Sequence, residues 1–288
     1  MIHVSRFALV VVLLLSASSV SAPADESSGW TVLGDGLQIG YFRADHRGVG
    51  GDSTVVVLRA EPSLWSLDLL CTTQSEGRPR RTARSWCEQH GLVAAINAGM
   101  FATDYETHVG YCSVRGHVNS AGINDYQSIA AFCSRDGQAP LFRIFDLDAP
   151  GVTIEGICEL YECVVQNLRL IKRPREGRWP RQTKRWSEAA LGEDSEGRLF
   201  FIFCRTAYSM HDLNEILLSL PIRLVCAQHL EGGPEAQLFI RTDRFEAEYV
   251  GSYETDFHGR DDNRTATRIP VVFGLRPRAP EGSRRTTE

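Results

Sequence analysis

The chain has 288 residues, 43% of them hydrophobic and 23% charged, with a formal net charge of -5. That composition is too apolar for a disordered chain, and its acidic balance argues against a nucleic-acid partner. Eight cysteines with no Cys-x-x-Cys pair argue against a zinc knuckle and for structural disulfides in an oxidising compartment.

Arg6 precedes an apolar run over residues 7–15, and small residues follow over 16–22. This order predicts a signal peptide over residues 1–24, cut after Ala24, with Ala22 and Ala24 meeting the small-x-small rule. The run is shorter than the roughly 20 residues a spanning helix needs. The expected protein is therefore secreted or periplasmic and keeps no stable membrane anchor. A polar lead is expected over 25–35, one domain over 36–276, and a polar, disordered tail over 277–288.

Strand patterns cover residues 37–42, 54–58 and 64–70, with a Gly-rich turn and a Glu61-Pro62-Ser63 break between them. Thr82 can cap a helix whose buried stripe is Ala83, Trp86, Cys87 and His90, and Gly91 can stop it. Residues 92–96 read as a buried strand. Further strands are expected over 108–114, 127–133 and 141–145. The basic stretch 172–186 reads as a solvated loop, or alternatively as a rim attracting a phosphate ester. Residues 198–203 form a strand pattern. Ser209 opens a helix with Leu213, Ile216, Leu217 and Leu220 on its buried face, closed by Pro221. Strands follow at 222–227, 238–240 and 269–275. The pattern predicts a single α+β domain, with a mixed, largely antiparallel β-sheet core flanked by a few helices.

Two buried strands stop abruptly at a polar, glycine-containing turn: Asn97-Ala98-Gly99-Met100-Phe101 and His229-Leu230-Glu231-Gly232-Gly233. Glycine there lets the backbone approach a ligand and leaves N–H groups free for an anion. The polar side chain is held at the rim of the core, where sites in mixed folds commonly form.

Taken in order, these segments resemble the phosphodiester glycosidase family. The family's Asn-Gly-Gly-Phe-Phe-like strand end is matched by Asn97 to Phe101, and its Gly-containing strand and turn by Val109 to His117. Its Arg-Thr-Ala-Ile-Gly segment is matched by Glu188 to Gly192, and its Gly-Met-Thr-Leu helix start by Ser209 to Leu213. Its Asn-Leu-Asp-Gly-Gly-Gly-Ser-Ser segment is matched by His229 to Ala236, and its last strand by Arg268 to Leu275. The chain departs from that pattern at Glu188, His229, Glu231, Pro234 and Glu235.

The resemblance implies hydrolysis of a sugar-1-phosphodiester, with a sugar-phosphate or glycan as substrate and no cofactor. Glu231 is the expected nucleophile, base or electrostatic stabiliser, with His229 and His108 as proton donors. Asn97, Gly99, Gly110, Gly232 and Gly233 would orient the sugar and phosphate, and Arg205 would hold the phosphate. Asp104 and Glu106 could hold a divalent cation with Asp261 and Asp262, but exposed acids of this kind are usually solvated. A non-catalytic sugar-phosphate or glycan binder of the same fold is the competing class.

Overall fold

The computed structural model describes residues 29–279, and the expected signal peptide and all but the first residues of the expected tail lie outside them. The first strands are Trp30–Gly34 (β1), Leu37–Arg43 (β2), Thr54–Ala60 (β3), Trp65–Cys71 (β4) and Ala94–Asn97 (β5). Then come Cys112–Val114 (β6), His117–Ser120 (β7), Ser128–Ser134 (β8), Phe142–Asp146 (β9), Tyr161–Asn167 (β10), Arg169–Lys172 (β11) and Glu176–Gly177 (β12). The last are Trp186–Asp194 (β13), Leu199–Tyr208 (β14), Leu224–Gly232 (β15), Gln237–Arg241 (β16), Glu246–Val250 (β17) and Val271–Pro277 (β18). The helices are Ala83–His90 (α1), Ile154–Leu160 (α2) and Met210–Ser219 (α3).

Three sheets result. One has eight strands in the order β1-β2-β3-β14-β13-β15-β11-β12, and two have five, β7-β6-β10-β8-β9 and β17-β16-β5-β18-β4. Every strand pairing within them is antiparallel.

The eight-stranded sheet is buried on both faces, which explains why β3 and β14 read as continuous apolar runs. Phe201 and Phe203 face one core together with Ile96, Phe132, Leu238 and Phe273 from the two smaller sheets. Phe200 and Ile202 face the other, against Leu213, Ile216 and Leu217 of α3. The alternation follows from the two-residue period of a strand. Burying one such side chain contributes about 1.5–3 kcal/mol.

The local signals act as read. Thr82 accepts from the Ser85 N–H and Gly91 sits at φ 62, so α1 has its cap and its left-handed stop. Ser209 accepts from the Asp212 N–H at the start of α3. Three expectations are corrected. The lead over 25–35 contains β1, which pairs with β2. The strand expected over 108–114 begins only at Cys112, because Phe101 and His108 close a loop through an isolated bridge. The stretch 172–186 holds the short strand β12 and begins β13, and several of its cations bind protein acids: Arg173 to Glu193 at 2.6 Å, Lys172 to Asp148 at 2.9 Å and Lys184 to Asp256 at 3.6 Å. The structural disulfides expected of the eight cysteines are likewise corrected, because all eight are free thiols in this structure. Among the described residues no helix is long and apolar enough to cross a membrane.

Candidate functional site

The two glycine-rich strand ends converge through three bridges. Asn97 at the end of β5 accepts from the Gln237 N–H at 3.0 Å, just past the Glu231 turn. Asn167 at the end of β10 donates to the Ala98 carbonyl at 2.9 Å and reaches Gln228 Oε1 of β15 at 3.5 Å. Tyr126 directs its hydroxyl to Met100 Sδ at 3.9 Å and lies within the electrostatic reach of Glu231.

A β-bulge shapes the β15 side. Ala189 of β13 faces Glu231 while Ala190 faces His229, so Leu230 is the extra residue. His229 is buried, and its Nδ1 lies 2.6 Å from Glu188 Oε1. The Trp186 indole N–H donates to the other Glu188 oxygen at 2.7 Å, and its ring packs edge-on to the imidazole at 6.0 Å. Burial opposes charge on His229, but the Glu188 carboxylate outweighs it and raises the pKa, with help from Glu231 and Glu254.

Glu231 is the most altered acid of the site. Burial pushes its carboxyl up to about 7, against the pull of His229 and of the Gly232 N–H that it accepts at 3.1 Å. Glu235 and Glu254 push in the same direction as burial, and both are themselves raised by burial. The turn is tight: a side chain at Gly232 would collide with Trp186, and one at Gly233, where φ is 60, would collide with Glu254.

The β5 side is neutral. His108 is buried between two partners, with Nδ1 3.0 Å from the Gly110 N–H and Nε2 3.2 Å from Asn167 Oδ1. An accepting Nδ1 and a donating Nε2–H satisfy both contacts, and burial lowers the imidazole pKa. Gly99 at φ 144 leaves no room for a side chain against His108 and Asn167. Gly110 lies against the Gln166 backbone. The Asn97 amide nitrogen is buried and has no hydrogen-bond partner.

Glu231, His229, Gly232 and Gly233 therefore form one half, and Asn97, Gly99, His108 and Gly110 the other. Arg205 belongs to neither. It pairs with Asp261 at 2.6 Å, donates to the Val250 and Asn263 carbonyls, and lines a separate cleft of about 600 Å³ with Tyr41 and Tyr249. Its expected phosphate contact at the Glu231 site is corrected accordingly: a guanidinium with three protein acceptors is committed elsewhere. His108 is likewise corrected as a proton donor, because both its ring nitrogens serve the fold. The four acids expected around a cation are not gathered. Asp104 caps its own loop through Thr107, Glu106 pairs with Arg78, Asp261 with Arg205 and Asp262 with His258. Among the described residues, the His/Cys/Asp/Glu group with ligand atoms within 4.8 Å of one another is His211, Asp212 and Glu215 on α3.

The sequence reading did not include Asn167, Tyr126, Trp186 and Glu254 in the site. Asn167 carries a usable signal: it ends the apolar run of β10 in the same manner as Asn97 ends β5.

The family model described as phosphodiester glycosidase matches residues 90–275. A search of curated proteins finds no match to the sequence. The fold is similar to the zebrafish N-acetylglucosamine-1-phosphodiester alpha-N-acetylglucosaminidase catalytic domain, auto-inhibited by pro-peptide, at a TM-score of 0.60 and 16% identity. That match covers 89% of this chain and 87% of the other. A hypothetical protein from Synechocystis is similar at a TM-score of 0.57 and 14% identity, over 85% of this chain and 62% of that one.

Proposed function

Because the chain belongs to the phosphodiester glycosidase family, we propose that it is an exported hydrolase cleaving the bond between a sugar anomeric carbon and a phosphodiester oxygen. The observation that carries this reading is Glu231: a carboxyl raised to about 7, within the electrostatic reach of a buried His229 whose own pKa Glu188 raises, on a strand end that leads into Gln237, the partner of Asn97. A phosphate leaving group departs as an anion and needs little protonation. The demand falls on the sugar side, where water must be activated and an oxocarbenium-like centre stabilised. A carboxyl titrating near neutral pH is matched to general-base work. His229 is the positioning charge: held by Glu188 and Trp186, it draws the Glu231 pKa down against burial. The unpartnered Asn97 amide is a donor suited to a sugar hydroxyl or phosphate oxygen. Export rests on the apolar segment over 7–15 and the small residues after it.

Where the family pattern carries Arg and Asn, this chain carries Glu188 and His229, and these two pair with each other. The site's charges therefore differ from the family pattern. The same charges favour a second reading. Glu188, Glu231, Glu235 and Glu254 crowd one site, and carboxylates repel a phosphate. A catalytically silent binder of neutral glycans would fit that electrostatics.

Purified protein assayed on sugar-1-phosphodiesters separates the two. The hydrolase reading expects turnover that falls about 10²–10⁴-fold in Glu231→Gln, with Asn97→Ala also impaired. Glycan binding by calorimetry with no product release would establish the second reading instead.

A further inference from the structure

Cys133 and Cys163 lie far from the Glu231 turn in the chain, on β8 and β10. The ladder between these strands pairs Cys163 with Phe132 and Tyr161 with Ser134. A regular strand would send Phe132 and Cys133 to opposite faces. Cys133 instead takes φ 59, a left-handed conformation uncommon for a residue with a side chain. The alternation breaks there, and Phe132, Cys133 and Cys163 all pack on the same core. The two thiols perturb each other's pKa, so each lies within the other's electrostatic reach.

The two sulfurs differ in access. Cys163 is fully buried, whereas Cys133 is half-buried and lines a cavity of about 950 Å³ together with Arg115, Glu162 and Arg278. Arg115 Nη2 stands 3.4 Å from Cys133 Sγ, and Asp68 at 3.4 Å helps to hold that guanidinium. The charged and titratable groups facing Cys133 are Cys163 and Glu162 from β10, Arg115 from the turn after β6, and Asp68 from β4. The neighbouring Cys163 thiol and then the Arg115 charge draw the Cys133 thiol down to about 7, against burial. A pair of thiols, one accessible beside a cation and one behind it, is the arrangement of an attacking and a resolving cysteine.

No other cysteine offers this. Cys71 and Cys112 also touch each other, but both are fully buried. Burial pushes the Cys87 thiol up to about 12 and raises Cys204 and Cys226 as well. Cys158 is half-buried and hydrogen-bonds the Tyr111 hydroxyl.

We propose that Cys133 and Cys163 form a thiol–disulfide exchange site that reacts with low-molecular-weight disulfides of the glutathione class. The Cys133 thiolate attacks one sulfur of the external disulfide, forms a mixed disulfide and expels one thiolate. The Cys163 thiol gives up its proton, and its sulfur attacks Cys133, expelling the second thiolate and closing the Cys133–Cys163 bond. The external disulfide is reduced to two thiols, which take the two protons, and the cysteine pair is oxidised.

The test uses the reduced full chain and oxidised glutathione at pH 7, with rapid acid quench and non-reducing peptide mapping. Glutathione is expected first on Cys133, followed by a Cys133–Cys163 bridge with two glutathiones released per chain. Cys163→Ser should stop at the mixed disulfide on Cys133, and Cys158→Ser should behave as the wild type. The wild-type time course alone shows the order of events should Cys163→Ser fail to fold. Arg115→Ala should slow iodoacetamide labelling of Cys133 about threefold or more at pH 7, because it removes the cation that favours the thiolate. Glutathione settling on Cys158 in preference to Cys133, a bridge joining Cys133 to another cysteine, or labelling indifferent to Arg115 would overturn the assignment.

Discussion

The two halves of the site each bury a histidine, and the partner decides what each becomes. His108 is held by an amide oxygen and a backbone N–H, so burial wins and the ring is neutral. His229 is held by the Glu188 carboxylate, so the carboxylate outweighs burial and the imidazole pKa is raised. Both sit on or beside strand ends next to glycine turns, and the sequence around them looks alike. A buried imidazole acquires its role from what accepts its proton, and only the His229 half is electrically poised for chemistry.

Glu188→Gln strikes that contrast hardest. It leaves His229 without its carboxylate and should cost about 3–5 kcal/mol, the penalty for breaking a buried pair. Denaturant unfolding measures the loss, which should be greatest where His229 is protonated. A loss under about 1 kcal/mol would mean that the pair is screened like a surface ion pair.

Gly99→Ala tests the neutral half. It forces a side chain into positive φ against His108 and Asn167, and should cost about 1–3 kcal/mol. The part of the pH dependence that Glu231 and His229 contribute should stay as in the wild type, since the new methyl group meets neither of them.

The contributions of Glu231 and His229 to that pH dependence slope the same way. Glu231 rises from 4.5 to about 7 on folding, and His229 is raised above 6.5. In both cases the folded chain binds more protons than the unfolded one, so stability falls as pH rises. The Glu231 contribution is lost between about 4.5 and 7, and the His229 contribution above 6.5. Thermal unfolding of Glu231→Gln should show a flatter profile over the lower window.

The smallest effect belongs to Arg205→Lys. Its pair with Asp261 is partly solvent-exposed, so about 1 kcal/mol or less of stability is at stake. Turnover should be unchanged, because the guanidinium lies in a different cleft from Glu231. A large loss of turnover would restore Arg205 to the site.

The strand and helix signals were largely legible. Residues 37–42, 54–58 and 82–91 folded as their periodicity and caps dictate, and the Asn97 and Glu231 turns converge as the shared design of their strand ends suggested. What remained hidden depended on register. The bulge at Leu230 has no local sequence mark. Arg205 follows a strand that ends near the site, yet Asp261, far along the chain, captures it. The strand β10 was missed although it supplies Asn167. Its Glu and Cys interrupt an apolar alternation that only pairing with β6 and β8 makes regular.

The most direct test of the account is the pH profile of kcat/KM on a sugar-1-phosphodiester, with wild type and Glu231→Gln side by side. The account predicts a wild-type limb rising with a midpoint near 7, as Glu231 ionises, and no such limb in the variant. A limb of the same midpoint and height in both proteins would contradict it.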